Sequence, residues 1–183
     1  MTYRPKLFAG IELDRGVRSK CAQIAERLKA QGFPARFEAA EKLHITLVFL
    51  GWVDAELVES IRNALKFVAD QTAPFTLTLD KIGAFPHERR PRVVWIGARD
   101  QGATFRELTR LCRGAYSAIG FSFDKEPVAH VTIARVKDGR AHLPSVEFAP
   151  MRLRVGALTL FESIPRGGTT HYEIRERTRL RSG

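Results

Sequence analysis

A four-residue pattern of histidine, apolar residue, threonine and apolar residue occurs twice in this chain. The copies are His44-Ile45-Thr46-Leu47 and His130-Val131-Thr132-Ile133. In an extended strand successive side chains point to opposite faces, so each copy directs its histidine and threonine one way and its apolar residues the other. The pattern therefore predicts two strands that each present an imidazole and a hydroxyl on one face and pack apolar side chains into a core on the other.

The spacing of the two copies adds to this prediction. A single copy could occur by chance on an ordinary strand, and a lone histidine is more often structural than catalytic. Only five histidines are present, however, and the two in the repeated pattern are separated by about half of the 183 residues. This spacing is typical of an internally duplicated architecture, in which two similar halves bring related strands together.

Composition limits the class of protein. The 30 lysines and arginines exceed the 20 acidic residues, giving a net charge of +10, which favours an anionic partner such as nucleic acid or a phosphorylated small molecule, although solubility alone could account for it. The cysteines, Cys21 and Cys112, fall on apolar stripes of predicted helices, so no disulfide is indicated. The opening residues 1–6 resemble no signal peptide, and no apolar run reaches membrane length. We expect a cytoplasmic protein without a membrane partner.

Hydrophobic periodicity predicts alternating strands and helices, typical of an α+β protein. The first predicted helix follows the capping residue Asp14 and ends near Gln31, and the second follows the capping residue Asp54. The third runs from about Ala103 to Ile119. The predicted strands cover residues 7–13, 35–38, 43–50, 75–79, 93–96, 130–134, 146–148, 151–155, 158–163 and 172–176.

Two basic segments could contact a phosphate backbone. Residues 83–92 read as a turn-rich loop that carries Phe85 and three arginines. Near the end of the sequence, four arginines alternate from Arg175 to Arg181, which would place them on one face of an extended strand. A solvated sheet edge is the first interpretation of that tail, and a phosphate-binding stripe is the second.

With both motifs in place, the sequence resembles the 2H phosphoesterase superfamily, and within it the RNA 2',3'-cyclic phosphodiesterases of bacteria and archaea, also called 2'-5' RNA ligases. The resemblance covers most of the chain and rests on residues 7–11, 43–51, 83–86, 90–95 and 130–135. Two positions depart from the family pattern. Ala129 stands where a proline is frequent, and Val48 stands where a lysine is frequent. Since Val48 is expected on the same face as His44 and Thr46, we expect these departures to bear on substrate preference and not on the reaction itself.

The resemblance implies a single bilobal domain over residues 1–183. In this α+β fold two pseudo-symmetric lobes, each an antiparallel sheet backed by helices, enclose a central cleft. The expected partner is RNA with a 2',3'-cyclic phosphate end, including tRNA fragments or cyclic mononucleotides. We expect a monomer that needs no cofactor and no metal.

The implied reaction is hydrolysis of the cyclic phosphate to a 2'-phosphate, with 2'-5' ligation as its reverse. Two histidines suit such chemistry because a pKa near 6.5 allows one to be neutral while the other is protonated. The family assigns His130 as general base and His44 as general acid, although the residues alone leave the order open. Thr46, Thr132 and Arg135 are expected on phosphate oxygens, and Phe85 is a candidate for stacking on a nucleobase.

Three alternatives remain at this stage. A basic RNA-binding protein without catalysis would bind RNA in a salt-sensitive manner and show no turnover. A metal hydrolase could use His44, His87 and His130, although no acidic residue lies at a typical ligand spacing from them. Another member of the superfamily could act on a small cyclic nucleotide or on a nicotinamide-derived cyclic phosphate.

Overall fold

The computed structural model describes residues 3–137 and 141–181 and confirms the α+β class. Two short 3₁₀ helices, Ala40–Lys42 and Ala55–Leu57, precede β3 and α2. The helices and strands are β1 (Lys6–Glu12), α1 (Arg15–Ala30), β2 (Ala35–Phe37), β3 (His44–Trp52), α2 (Val58–Gln71), β4 (Phe75–Leu79), β5 (Lys81–Phe85), β6 (Val93–Gly97), α3 (Gly102–Ser117), β7 (His130–Val136), β8 (Met151–Val155), β9 (Ala157–Arg166) and β10 (Thr169–Arg179).

One antiparallel sheet connects two halves of the fold. Its strand order is β10-β9-β1-β3-β7-β6-β5, with β2 beside β7, while β4 and β8 form a separate ladder. The two strands that begin with the histidine motifs, β3 and β7, are neighbours at the centre. They share one paired position, Ile45 opposite Val131, which we call the seam, whereas β1 pairs along the whole of β3. Because β3 and β7 diverge on either side of the seam, the sheet has two halves, in agreement with the expected bilobal arrangement.

Two helices pack against the motif strand that comes from the other half of the chain. Asp14 caps α1 by accepting a hydrogen bond from the Val17 backbone N–H at 2.8 Å, as its position before an apolar stripe predicts. Helix α1, from the first half of the chain, packs against β7, and helix α3, from the second half, packs against β3. Each motif strand is thus supported by a helix from the other half. No helix among the described residues is both long and apolar enough to cross a lipid bilayer.

One predicted helix cap and one predicted strand were wrong. Asp54 does not cap α2 with its side chain, because its carboxylate pairs with the Arg4 guanidinium at 2.8 Å and a 3₁₀ turn precedes the helix. Residues 146–148 form no strand, because the backbone carbonyl of Glu147 is bonded instead by the Arg27 side chain at 2.8 Å. Local composition gave no indication of either long-range contact.

The predicted basic loop at residues 83–92 is shorter than expected, because residues 81–85 form strand β5 against β6. Gly83 permits this pairing, since a Cβ atom at that position would lie 2.5 Å from the Trp95 ring. The prediction of a loop at Gly83 was wrong, because the missing side chain makes room for an aromatic neighbour instead of allowing a turn. The remaining loop carries exposed Arg89, Arg90 and Arg92.

The arginines of the tail belong to the edge strand β10. A register shift between Ile174 and Glu176 interrupts its regular alternation. Arg175 pairs with buried Glu162 of β9, and Arg177 forms two hydrogen bonds of 2.7 Å to Glu12 of β1. These contacts favour the interpretation as a sheet edge, because two of the four cations already neutralise carboxylates of the sheet.

We predict that replacing Gly10 will destabilise the fold through the seam. A Cβ atom at Gly10 would lie 2.5 Å from the backbone oxygen of Ile45, the seam residue of β3. Gly10→Ala should therefore lower the free energy of unfolding by about 2 kcal/mol, as overpacking of a core does. Urea denaturation measures the change.

Gly114→Ala is the matched control. Gly114 lies on α3 with no other group within 4 Å of a built Cβ atom, so alanine there should raise stability by about 0.5–1 kcal/mol through helix propensity. A Gly10→Ala protein as stable as the wild type would show that β1 can move away from the seam without cost.

Candidate active site

Both histidine motifs line one cleft of about 140 Å³ at the seam. Five of the six residues predicted for the site meet there, and the sixth, Phe85, lies behind His130 in an adjoining groove. The complete lining consists of Phe8, Glu38, Lys42, His44, Thr46, Phe49, His130, Thr132, Arg135 and Tyr172.

The two imidazoles are held in the same way. Nδ1 of His44 lies 2.6 Å from the backbone oxygen of Lys42, and Nδ1 of His130 lies 2.7 Å from that of Val128. A carbonyl oxygen only accepts, so Nδ1 carries a proton in both rings. The other nitrogen, Nε2, is therefore the atom that gains or loses a proton. On His44 it lies 3.0 Å from the Thr46 hydroxyl.

Burial lowers the pKa of both histidines. Loss of hydration is the largest cause for each ring, and the hydrogen bond to a backbone carbonyl opposes it. The charge of Arg135 lowers both pKa values further, and that of His130 lowers the pKa of His44. Glu38 has the opposite effect on His44. Both rings thus favour the neutral form in the free protein, and protonation of one disfavours protonation of the other.

A β-bulge after each threonine changes which side chains reach the cleft. In β3, Val48 pairs with Ala9 and Thr46 with Gly10, so Leu47 is the extra residue. In β7, Ala134 pairs with Val94 and Thr132 with Trp95, so Ile133 is the extra residue. Two successive residues are buried at each bulge, and the alternation is then reversed.

The reversal has the same consequence in both halves. The fifth residue after each histidine, Phe49 in β3 and Arg135 in β7, faces the cleft. Strict alternation would have directed both side chains to the opposite face. The expectation that Val48 shares the face of His44 was wrong, because the bulge buries Val48 to 3% exposure and presents Phe49 in its place.

Glu38 fixes the guanidinium of Arg135. Its carboxylate accepts a 3.0 Å hydrogen bond from Arg135 Nε, which leaves the terminal nitrogens free to act as further donors. Glu38 itself is only 14% exposed on its side chain, and its backbone N–H donates to the Ile133 carbonyl at 2.9 Å. The ion pair is thus anchored at the bulge of β7.

Aromatic rings support each imidazole. The ring of Phe8 lies 4.9 Å from that of His44, and the ring of Tyr172 meets His44 edge-on at 5.1 Å. On the other side, Phe85 meets His130 edge-on with the ring centres 5.2 Å apart. Rings packed in this way restrict rotation of the imidazoles and exclude water from their faces.

Sequence reasoning missed five residues of the cleft lining. Phe8 lies in a continuous apolar run that gives no facing signal, Phe49 depends on the bulge, and Tyr172 reaches the cleft only because β10 folds back beside β9. Glu38 and Lys42 lie in the short connection before β3, where periodicity has no value. No pattern in the sequence identified any of them.

The third histidine of the metal-site alternative lies elsewhere. His87 is exposed and lines a surface pocket with Lys81 and Arg89, apart from the cleft of His44 and His130. Within residues 3–137 and 141–181, no three histidine, cysteine or acidic side chains are grouped closely enough to hold a metal ion.

Comparison with known proteins gives consistent relationships. A family model described as LigT like Phosphoesterase matches residues 11–95. An RNA 2',3'-cyclic phosphodiesterase of Archaeoglobus fulgidus is 39% identical over 135 residues, covering 72% of this chain and 73% of that protein. Among solved structures, TT0787 of Thermus thermophilus superposes with a TM-score of 0.86 at 25% identity, covering 96% of this chain and 98% of that one.

A further structure is that of Escherichia coli LigT in complex with 3'-AMP. It has a TM-score of 0.75 and 29% identity, and the alignment covers 98% of this chain and all of that one, at 100%. The likeness in sequence and in fold therefore extends across both halves and both histidine motifs. The chain belongs to the LigT-like phosphoesterases of the 2H superfamily, among the relatives named RNA 2',3'-cyclic phosphodiesterases.

Proposed function

We propose that the protein hydrolyses 2',3'-cyclic phosphate ends of RNA to 2'-phosphates by acid–base catalysis between His44 and His130. The observation that carries this proposal is the pairing of two imidazoles in one cleft, each held through Nδ1 so that Nε2 is the exchanging atom. The substrate class follows that of the relatives, and the 3'-AMP bound to the Escherichia coli protein supports a nucleotide-sized ligand.

The proposed step is an in-line displacement at phosphorus. Neutral His130 takes a proton from water through Nε2 as the water oxygen bonds to phosphorus. The bond from phosphorus to the 3'-oxygen breaks, and protonated His44 gives its Nε2 proton to that oxygen. The product carries a 2'-phosphate and a free 3'-hydroxyl. The protons on the two histidines have then exchanged places, and solvent restores the starting state.

The other polar groups of the cleft stabilise the reacting phosphate. Thr46 and Thr132 project beside the two histidines and donate hydroxyl hydrogen bonds to non-bridging oxygens. Arg135 adds a charge-assisted contact from the nitrogens that Glu38 leaves free. These interactions strengthen as charge on the phosphate oxygens shifts in the transition state, so their main effect is on kcat.

The same groups serve 2'-5' ligation, in which a different nucleophile attacks the cyclic phosphate and His44 again protonates the departing 3'-oxygen. If a 5'-hydroxyl takes the place of water, His130 deprotonates it and the product is a 2'-5' linkage. Hydrolysis prevails in dilute solution because water is the more abundant nucleophile. In this proposal the chain acts as one bilobal domain, and its own side chains carry out every proton transfer. Turnover should therefore persist in the presence of a chelator, unlike that of a metal hydrolase.

His44→Ala and His130→Ala should each reduce kcat by at least about a hundredfold on a 2',3'-cyclic nucleotide, because each removes one proton transfer. Circular dichroism should show an unchanged fold. His87→Ala is the control, since His87 is exposed outside the cleft. A variant with near-wild-type kcat would remove that histidine from the mechanism. A wild-type protein that binds RNA without turnover would support the non-catalytic alternative.

Thr46→Val, Thr132→Val and Arg135→Lys should each lower kcat by roughly tenfold, less than the histidine variants, because neighbouring donors still hold the phosphate. Valine keeps the shape of threonine and removes only the hydroxyl. Thr76→Val, at an exposed position of β4, is the control and should retain full activity. Unchanged kinetics in all three cleft variants would place the reacting phosphate elsewhere.

The pH dependence of kcat/KM should be a bell centred below pH 6.5. The pKa of both histidines is lowered in the free protein. Activity falls on the alkaline side as the acid loses its proton and on the acid side as the base gains one, so both limbs move to lower pH. Bound anionic phosphate stabilises the imidazolium, so the profile of kcat should lie at higher pH than that of kcat/KM. A kcat/KM bell centred above pH 7 would contradict this.

A further inference from the structure

Two large aromatic side chains near the end of β3 are exposed to solvent. Phe49 is 55% exposed and Trp52 is 57% exposed. The Lys6 ammonium of β1 lies 5.5 Å from the centre of the Phe49 ring and 5.8 Å from the Trp52 ring. We refer to Lys6, Phe49 and Trp52 together as the β3 platform. Exposed apolar surface is unfavourable in water, and an apolar patch of this kind often marks a binding site.

A second irregularity of β3 places the three side chains together. Phe49 pairs with Phe8 and Gly51 with Leu7, so Leu50 is an extra residue, and it is buried to 8% exposure. Trp52 then stands directly opposite Lys6. A regular strand would have directed residues 49 and 52 to opposite faces, and the bulge brings both rings under the same lysine.

The β3 platform is continuous with the cleft. The ring of Phe8 lies 4.9 Å from His44 and is stacked on Phe49 at 6.3 Å, with an angle of 20° between the planes. Phe49 lines both the cleft and the groove of about 870 Å³ that leads out of it. A series of aromatic rings thus leads from the reacting histidine to Phe49, and the Lys6 ammonium lies between Phe49 and the exposed Trp52.

The charge of Lys6 remains available to a ligand. Among the described residues, no carboxylate lies within ion-pair distance of its ammonium, whereas the nearby Arg4 is paired with Asp54. A cation held above aromatic rings keeps hydrogen-bond donors directed to solvent. Exposed aromatic rings together with basic side chains are the features by which proteins hold single-stranded nucleic acid without reading its sequence.

We propose that the β3 platform binds the single-stranded RNA that precedes the cyclic phosphate end, with nucleobases stacked on Phe49 and Trp52 and a backbone phosphate on Lys6. This inference rests on the proposed function, because it assumes that the RNA end lies in the cleft. It adds a preference for oligonucleotides over mononucleotides, which are too short to reach Trp52. Three side chains form a surface too small for a stable protein interface, whereas one stacked base already adds measurable affinity.

The test compares KM for 2',3'-cyclic AMP with KM for a hexa-adenylate that ends in a 2',3'-cyclic phosphate. Trp52→Ala should raise KM for the hexanucleotide by roughly tenfold, the loss of one stacking contact, and leave KM for the mononucleotide unchanged. Trp52→Phe should restore most of the loss, since phenylalanine also stacks. Phe67→Ala is the matched control, because Phe67 is equally exposed, at 55%, but lies on α2.

Fluorescence anisotropy of a labelled hexa-adenylate with an ordinary 3'-hydroxyl tests binding without turnover. Trp52→Ala should weaken binding by a similar factor. Lys6→Ala should reduce the slope of log affinity against log salt by about 0.7, as expected for one phosphate contact with a single strand. This measurement separates the two proposals, because it retains its meaning if the protein proves not to hydrolyse cyclic phosphates.

Equal effects of Trp52→Ala on both substrates would overturn the proposal, and so would unchanged hexanucleotide KM and binding. A protein concentration-dependent association that Trp52→Ala abolishes, without an effect on RNA binding, would overturn it in favour of a second copy of the chain as occupant. If the wild-type protein shows no turnover but binds RNA in a manner that depends on Trp52, the result would support the β3 platform and reject the proposed reaction.

Discussion

The position of the two histidines relative to each other depends on the pairing of β3 with β7. Ile45 and Val131 are completely buried and form the one register pair between β3 and β7. His44 directly precedes Ile45 and His130 directly precedes Val131. The position of each imidazole is therefore fixed by a residue of the seam that lies one peptide bond away. Helix α1 packs against β7 and helix α3 packs against β3, so each motif strand is supported by a helix from the other half of the chain. The close approach of Gly10 to Ile45 completes this arrangement.

The matching bulges place different side chains at the same position of two similar strands. Both strands bury the first, third and fourth positions after the histidine and return the fifth to the cleft. In β7 that position is Arg135, a cation suited to phosphate, and in β3 it is Phe49, an apolar ring. The β-bulge is common to both strands, whereas the side chain that it presents to the cleft differs. One side of the cleft is therefore suited to the charge of a ligand and the other to its flat apolar parts.

Much of the fold, and the grouping of most of the predicted site residues in one cleft, followed from the sequence, because local patterns determine them. The stripe from Val17 to Leu28 and the alternation in β4 predicted α1 and β4 correctly, and the histidine motifs predicted the residues that meet at the seam. What local patterns could not provide were consequences of pairing between distant segments. The bulges arise from the register with β1 and β6, and β5 depends on the room that Gly83 leaves for Trp95. The capping failure at Asp54 likewise reflects competition from a distant arginine.

The cleft links protonation to the presence of an anion. In the free protein, Arg135 already contributes one positive charge, and desolvation disfavours adding a second on either imidazole. In the proposed complex, the cyclic phosphate brings a negative charge into the same small volume, where low solvent access makes its attraction for imidazolium strong. The anion can thus stabilise the proton that His44 must donate in the proposed step. In the proposed reaction the repulsion between His44 and His130 remains, so one ring carries a proton while the other stays neutral, as an acid and a base that act together require.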